Sequence, residues 1–306
     1  DKDLSLSLLY NHNVPAAIKA RIIKISVDNE FCKTTWFYEK VSSLFSILET
    51  EFKKTEMELL LSEIDNQLMG APSKLFDLIN KYNMRLNASP IGFCSSDVGF
   101  FHSLSLKTVS RDAGFIDHGL CTIIITAFNS EDTLQYAYDS ICNQSYKNIE
   151  VIIVDDLSSI PVDSYLKYSR NIKTTVIRNN INSGPYVSRN NALSIACGEY
   201  IAIQDADDWS HPERISLQIN SLISTDSVAC FTNHLRFSQS GNLKHENHGE
   251  YTGHGPMTSL YKKHVFDDIG EFDPVRTRGD VGFKSRVIYF YGEEAIVDLQ
   301  AILLLS

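Results

Sequence analysis

The sequence predicts an α/β fold, a Rossmann-like, mainly parallel sheet flanked by helices, preceded by a helical N-terminal region. Three observations carry that expectation. From Leu120 onward, β-branched apolar runs alternate with segments of helical periodicity. Two of those runs end abruptly in carboxylates, at Asp155-Asp156 and at Asp205-Ala206-Asp207-Asp208. Before about residue 117, apolar side chains instead recur at helical spacing.

In the helical region, Thr55-Glu56-Met57-Glu58 reads as a capping box. Met57, Leu60, Leu61, Ile64 and Leu68 follow at helical spacing until Gly70. Trp36, Val41, Leu44, Phe45 and Leu48 make a second apolar face, and Phe76 and Ile79 mark a shorter helix after Ser73. No polar chemistry clusters among these stripes, so they are expected to pack rather than to react. Residues 86–117 mix Ser, Gly, Pro and isolated apolar residues and predict a connecting segment. The boundary then falls between a region 1–117 and a domain 118–306.

Within that domain, Thr122-Ile123-Ile124-Ile125-Thr126 predicts a buried strand. Ser130 is placed to cap a helix with Glu131 and Asp132 in its first turn and Leu134, Ala137, Ile141 and Cys142 inside. Residues 149–154 give a second strand and 173–178 a third. Ser183-Gly184-Pro185 starts a helix holding Ala192, Leu193 and Ala196, and Tyr200-Ile201-Ala202-Ile203 is the next buried strand. Ser210-His211-Pro212-Glu213 reads as a capping box, with Ile215, Ile219, Leu222 and Ile223 on the inner face. Asp280 opens a helix striped by Phe283, Val287 and Phe290, and residues 295–306 read as a strand.

Composition limits function. A chain of 306 residues, 43% hydrophobic and 22% charged, is an ordinary globular one with a real core. A net charge of −10 argues against nucleic acid as a partner. Cys32, Cys94, Cys121, Cys142, Cys197 and Cys230 form no CxxC pair, which predicts a reducing cytoplasm and neither a disulfide framework nor a zinc site. No stretch reaches the roughly 18–20 apolar residues that span a bilayer. The chain starts at Asp1 without a signal-peptide pattern and reads as a segment of a longer protein, so further domains of the same polypeptide are expected.

Charges at the ends of buried strands must lie where the sheet opens to solvent, and open α/β sheets bind ligands at that edge. Clustered carboxylates there suit a hard divalent cation, Mn²⁺ or Mg²⁺. An acidic turn before a helix accounts for the same residues without a ligand. The loop after the first strand adds Thr126, Ala127, Phe128 and Asn129. A ring and a carboxylate at strand ends suit a nucleotide base and ribose, and an ion on Asp207 or Asp208 would bridge two phosphates. No P-loop and no GxGxxG motif is present. Trp209 is either a sugar-facing wall or core packing. His245, His248 and His254 lie in a Gly- and Asn-rich loop without metal-ligand spacing and read as incidental.

Together, residues 122–129 with 151–158, then 183–192, then 199–214, resemble the family 2 glycosyltransferases of GT-A fold, over roughly residues 119–292. Phe128 stands where many members have Tyr, and Leu157 where Gly usually follows the paired aspartates. The resemblance implies that Thr126, Phe128 and Asp155 line the nucleoside pocket and that Arg189, in Ser188-Arg189-Asn190-Asn191-Ala192, faces the diphosphate. Asp205-Ala206-Asp207-Asp208 matches the DXD region. Asp207 then lies near the ribose or metal, Asp208 binds the metal directly, and Asp205 orients them.

Residues 266–273 and Arg278-Gly279-Asp280-Val281 resemble the acceptor half of that family, which divides the domain into 118–209 for the donor and 210–306 for the acceptor. Where the family carries a Glu-Asp pair, this chain has Gly279-Asp280, which leaves Asp280 as the implied base. The implied reaction is inverting, metal-dependent transfer from a nucleoside-diphosphate sugar, a UDP-sugar, to a saccharide or glycolipid hydroxyl. The implied setting is bacterial surface polysaccharide synthesis, in the cytoplasm or peripherally at the inner membrane face. Two rivals stand beside it. A nucleotidyltransferase would bring a glycine-rich basic loop, which Ala127-Phe128-Asn129-Ser130 is not. A non-enzymatic scaffold of a multidomain polymerase is kept alive by Gly279.

Overall fold

The computed structural model describes residues 23, 58–59, 62–63, 73–93, 100–106, 116–238, 241–244 and 251–306. The capping box at 55–58 as a unit, the stripes through Trp36 and Met57, and His245 and His248 lie outside these residues. The chain divides into two compact units, Asp1–Thr108 with Leu235–Gly253, and Val109–His234 with His254–Ser306.

In the first unit, helix α1 (Ser73–Asn83) carries buried Phe76 and Ile79. Segment 86–117 holds more than a connection. Strands β1 (Ile91–Phe93) and β2 (Leu104–Leu106) pair antiparallel, Ile91 opposite Leu106. Three-residue strands carry too little alternation to be read in advance. Asn80 fixes β1 to α1 by donating to the Ile91 carbonyl (2.8 Å) and accepting from the Ile91 N–H (2.9 Å).

The second unit contains β3 (Cys121–Ala127), α2 (Leu134–Cys142), β4 (Ile149–Asp155), β5 (Lys173–Arg178), α3 (Pro185–Leu193), β6 (Tyr200–Asp205), β7 (Trp209–Ser210) and α4 (Arg214–Thr225). Strand β8 (Ala229–Phe237) begins in this unit, and β9 (Leu243–Lys244) and β10 (Thr252–Gly253) pair with it. Then follow β11 (Ser259–Lys262), α5 (His264–Ile269), α6 (Gly279–Tyr291) and β12 (Ile296–Leu305). Strand order is β5-β4-β3-β6-β11-β8-β12-β7. The β-branched runs form the parallel half, β5 through β6, and β11 pairs antiparallel with both β6 and β8. Burial on both faces explains the long apolar runs of β3, β4 and β6, whereas β5 at the sheet edge is only partly buried.

One face of this half packs Ile124, Ile152 and Ile203 against Ala192, Leu193 and Phe283. Phe266 and Phe283 stack at 4.9 Å, which clamps α5 to α6. Each such fully buried side chain contributes about 1.5–3 kcal/mol.

Three local expectations are corrected, and one alternative left open is decided. Ser210 does not cap α4. It belongs to β7, its hydroxyl is drawn into a buried polar cluster, and the helix begins at Arg214. Ser130 contributes its carbonyl, not its hydroxyl, to the entry of α2, accepting from the N–H groups of Thr133 and Leu134. Ile223 and Phe290 are exposed, because the buried face of α4 runs through Ile215, Ile219 and Leu222 and that of α6 through Phe283 and Val287 to the partly buried Tyr291. Trp209 is core, buried on β7 and paired with Leu305 of β12.

Candidate functional site

Register gathers the acidic residues at one edge. Thr126 pairs with Asp205, Ala127 with Asp155, and Asp155 with Arg178, so the carboxyl ends of β3 to β6 are level. Ligands of open α/β sheets bind along such an edge.

Asp155 is buried and its oxygens are already engaged. They accept from the N–H groups of Ser158 (2.7 Å) and Val162 (3.3 Å) and from Arg178, whose other nitrogen donates to the Ser158 carbonyl (2.7 Å). The carboxylate thereby shapes the loop that leaves β4. Leu157 in that loop has φ +64°, a left-handed conformation that suits glycine and costs an L side chain about 1–2 kcal/mol. Phe128 is 52% exposed and Thr126 half-buried, so a ring and a hydroxyl are presented beside this loop.

Asp156, given no separate role from sequence, organises the next loop. It accepts from Asn179 Nδ2 (2.7 Å), Ser183 N (2.9 Å) and Gly184 N (2.8 Å), which sets the start of α3. Helix α3 then delivers Arg189, buried, whose Nη2 donates to Asp205 Oδ1 at 2.7 Å and whose guanidinium lies 4.8 Å from the centroid of the Tyr186 ring. Arg189 Nε and Nη1 have no hydrogen-bond partner, leaving donors available to an anion. On its other side the Tyr186 hydroxyl donates to Asp280 Oδ1. Asp280 is the second residue of α6 and caps nothing; the N-cap residue is Arg278, at φ +62°. Asp205, Arg189, Tyr186 and Asp280 therefore form one connected chain from the carboxyl edge of the sheet to the start of α6.

The acidic turn after β6 separates its carboxylates by environment. Asp205 is half-buried, Asp207 exposed, and Asp208 only 1% exposed. Asp208 Oδ2 is buried without a partner. Burial, then the charges of Asp205 and Asp207, hold the Asp208 carboxyl well above the usual carboxylate range. A buried oxygen without a donor among like charges is the arrangement that a cation relieves. Among the described residues, no group of three or more His, Cys, Asp or Glu side chains is arranged to hold a metal. Mn²⁺ or Mg²⁺ does not require one, since one or two carboxylates with substrate phosphates and water suffice. The donor set therefore fits such an ion. His254 stays apart from it, 3.3 Å from Asp298.

The shift of Asp208 has a sign that can be checked without metal. An acid whose pKa is raised on folding binds its proton more tightly when folded. Its stabilising effect is complete below the unfolded value of 3.8 and is lost as pH rises through the folded one. Asp208→Asn is therefore expected to melt at a higher temperature than the parent at neutral pH in chelator, with the advantage shrinking toward pH ~4. Thermal melts across that range decide it.

Two residues beneath the turn escaped the sequence reading. Arg214 is fully buried and donates to Gln204 Oε1 (2.7 Å), Ser210 Oγ (2.7 Å), the Ile203 carbonyl (2.7 Å) and Gln218 Oε1 (3.1 Å). Gln204 in turn donates to the Asp208 carbonyl at 2.7 Å, so Arg214 holds the acidic turn from below. Burial lowers the Arg214 pKa to about 10, with Asp208 opposing the shift. Tyr136, on α2, donates to the Asp207 carbonyl at 2.9 Å. A Pro-x-Arg step after the acidic run was the only available signal for Arg214.

Comparison with known proteins agrees with this arrangement. Residues 122–280, just over half of the chain, match the family described as Glycosyl transferase family 2. The chain is 39% identical over 109 residues to the UDP-Glc:alpha-D-GlcNAc-diphosphoundecaprenol beta-1,3-glucosyltransferase WfaP of Escherichia coli, covering 36% of this chain and 43% of that protein. It thus spans less than half the length of that curated relative. Among solved structures, S. aureus TarS 1-349 in complex with UDP superposes with a TM-score of 0.51 at 20% identity, over 61% of this chain and 60% of that one. Mannosyltransferase PcManGT from Pyrobaculum calidifontis, in complex with GDP-Man and Mn²⁺, gives 0.50 at 15% identity, over 82% and 68%. The fold is the GT-A fold. With its carboxylate edge, its paired aspartates and the order of its motifs, the chain belongs to glycosyl transferase family 2.

Proposed function

We propose that the chain transfers a sugar from a UDP-sugar to a hydroxyl of a saccharide or lipid-linked glycan, with inversion at the anomeric carbon and with a divalent cation. The observation that carries this reading is the unpartnered buried Oδ2 of Asp208 among three carboxylates, joined through Asp205, Arg189 and Tyr186 to Asp280. The UDP bound to one structural neighbour and the lipid-linked acceptor in the name of the Escherichia coli relative support the substrate classes. The product in this reading is a bacterial surface polysaccharide made at the inner membrane face, and relatives named for colanic acid and teichuronic acid biosynthesis support the polysaccharide. Among the described residues no helix is long and apolar enough to cross a membrane.

In this reading Thr126 and Phe128 receive the nucleoside, while Asp155 shapes the loop against it. Asp207 and Asp208 would hold Mn²⁺ or Mg²⁺, whose chemistry there would be to supply positive charge to the diphosphate. Arg189, fixed by Asp205 and by the face of Tyr186, directs its free donors at the departing UDP. Asp280 takes the proton of the acceptor hydroxyl as that oxygen attacks the anomeric carbon, and the bond from that carbon to the diphosphate breaks with its electron pair leaving on UDP. The halves 118–209 and 210–306 then serve donor and acceptor.

Titration calorimetry of UDP with and without Mn²⁺ tests the metal assignment. Mn²⁺ is expected to tighten UDP binding by tenfold or more, on the order of the 1.4 kcal/mol that one decade represents, and Asp208→Asn to lose that increment. Metal-independent binding that the substitution leaves unchanged would sink it. The scaffold reading is favoured by one observation, Gly279 in place of an acid, and predicts UDP binding without turnover of any UDP-sugar.

A further inference from the structure

We propose that Tyr186 is a positioning residue for the proton-accepting carboxylate of Asp280, and through the opposite side of its ring for Arg189. The inference rests on the reading of Asp280 as the base. Tyr186 is 4% exposed, and its hydroxyl donates to Asp280 Oδ1 across 94 residues of sequence. That bond ties Oδ1 to α3. The ring is held in place by its neighbours. Phe272 lies 5.9 Å away, Arg189 covers a face at 4.8 Å, and α6 approaches so closely that a Cβ on Gly279 would stand 2.8 Å from ring carbons. Burial and the Asp280 carboxylate together push the phenol up to about 12, so it stays a donor throughout the working pH range.

A hydrogen bond to a carboxylate is of the stronger, charge-assisted kind, so removing the hydroxyl removes what holds the carboxylate in this orientation. Around this contact, Arg189 on α3 faces the Tyr186 ring, and Tyr261 on β11 lies within electrostatic reach of Asp280. Tyr186→Phe leaves both of them, and keeps the ring under Arg189.

The test measures UDP release from UDP-glucose or UDP-GlcNAc beside calorimetric UDP affinity. Tyr186→Phe is expected to slow release by about tenfold or more, because a carboxylate that loses its orienting bond is displaced from the attacking oxygen, while UDP affinity and the melting temperature stay unchanged. Site-specific 3-fluorotyrosine, which keeps the ring and the hydroxyl, should restore the parental rate. A parental rate in Tyr186→Phe overturns the inference, as does a loss of rate that 3-fluorotyrosine does not restore or that a loss of UDP affinity accompanies. The two readings fail separately. Full UDP release by Asp280→Asn overturns the base assignment, and the catalytic role of Tyr186 with it, whereas an inactive Asp280→Asn beside a fully active Tyr186→Phe overturns Tyr186 alone.

Discussion

Asp280→Asn is expected to slow sugar transfer by about 10²–10⁴ while UDP binding is retained. The amide keeps the size of the carboxylate and an oxygen to accept the Tyr186 hydroxyl, so the start of α6 is preserved. What is lost is the ability to take a proton from the attacking hydroxyl. In the proposed reading the donor contacts lie elsewhere, on β3, β4, α3 and the turn after β6, which is why binding and turnover should separate. UDP release measured beside calorimetric UDP affinity provides the check, and full transfer by the variant would remove Asp280 from the mechanism.

The second large effect concerns stability. Arg214→Met is expected to cost about 3–5 kcal/mol, read as a lower urea midpoint at unchanged slope. Methionine fills much of the volume, so the loss is chiefly polar. Gln204 Oε1, Ser210 Oγ, the Ile203 carbonyl and Gln218 Oε1 all lose the same donor group in the interior. The consequence reaches the site, because Gln204 also carries the Asp208 carbonyl and because the guanidinium is the nearby positive charge opposing protonation of Asp208. Metal-dependent UDP binding should therefore weaken even in the fraction that remains folded. A variant of parental stability would show that the cluster is not the anchor of the turn.

The parallel half of the sheet was legible in the sequence because burial on both faces demands long β-branched runs, and Ile123 to Ile125 or Val151 to Val154 leave little else to fold into. The carboxylates were legible because charge at the end of such a run has one place to go. Ser210 misled because its spacing to Glu213 is that of a capping box, while a buried arginine four residues on claims the same hydroxyl. Tyr186 was invisible for a different reason. Its partner is 94 residues away, and nothing local distinguishes a tyrosine that packs from one that also orients a carboxylate. Asp156 stood in plain view beside Asp155, yet its work on Ser183 and Gly184 needs the loop closed to be seen.

The close approach of Gly279 to the Tyr186 ring makes two positions competitors for one volume. A Cβ at 279 would stand 2.8 Å from the ring, so a side chain there requires the ring at 186 to shift. Restoring the acid by Gly279→Glu alone would thus move Tyr186 away from Asp280 rather than supplement it, and a second carboxylate there calls for a smaller residue in place of the tyrosine.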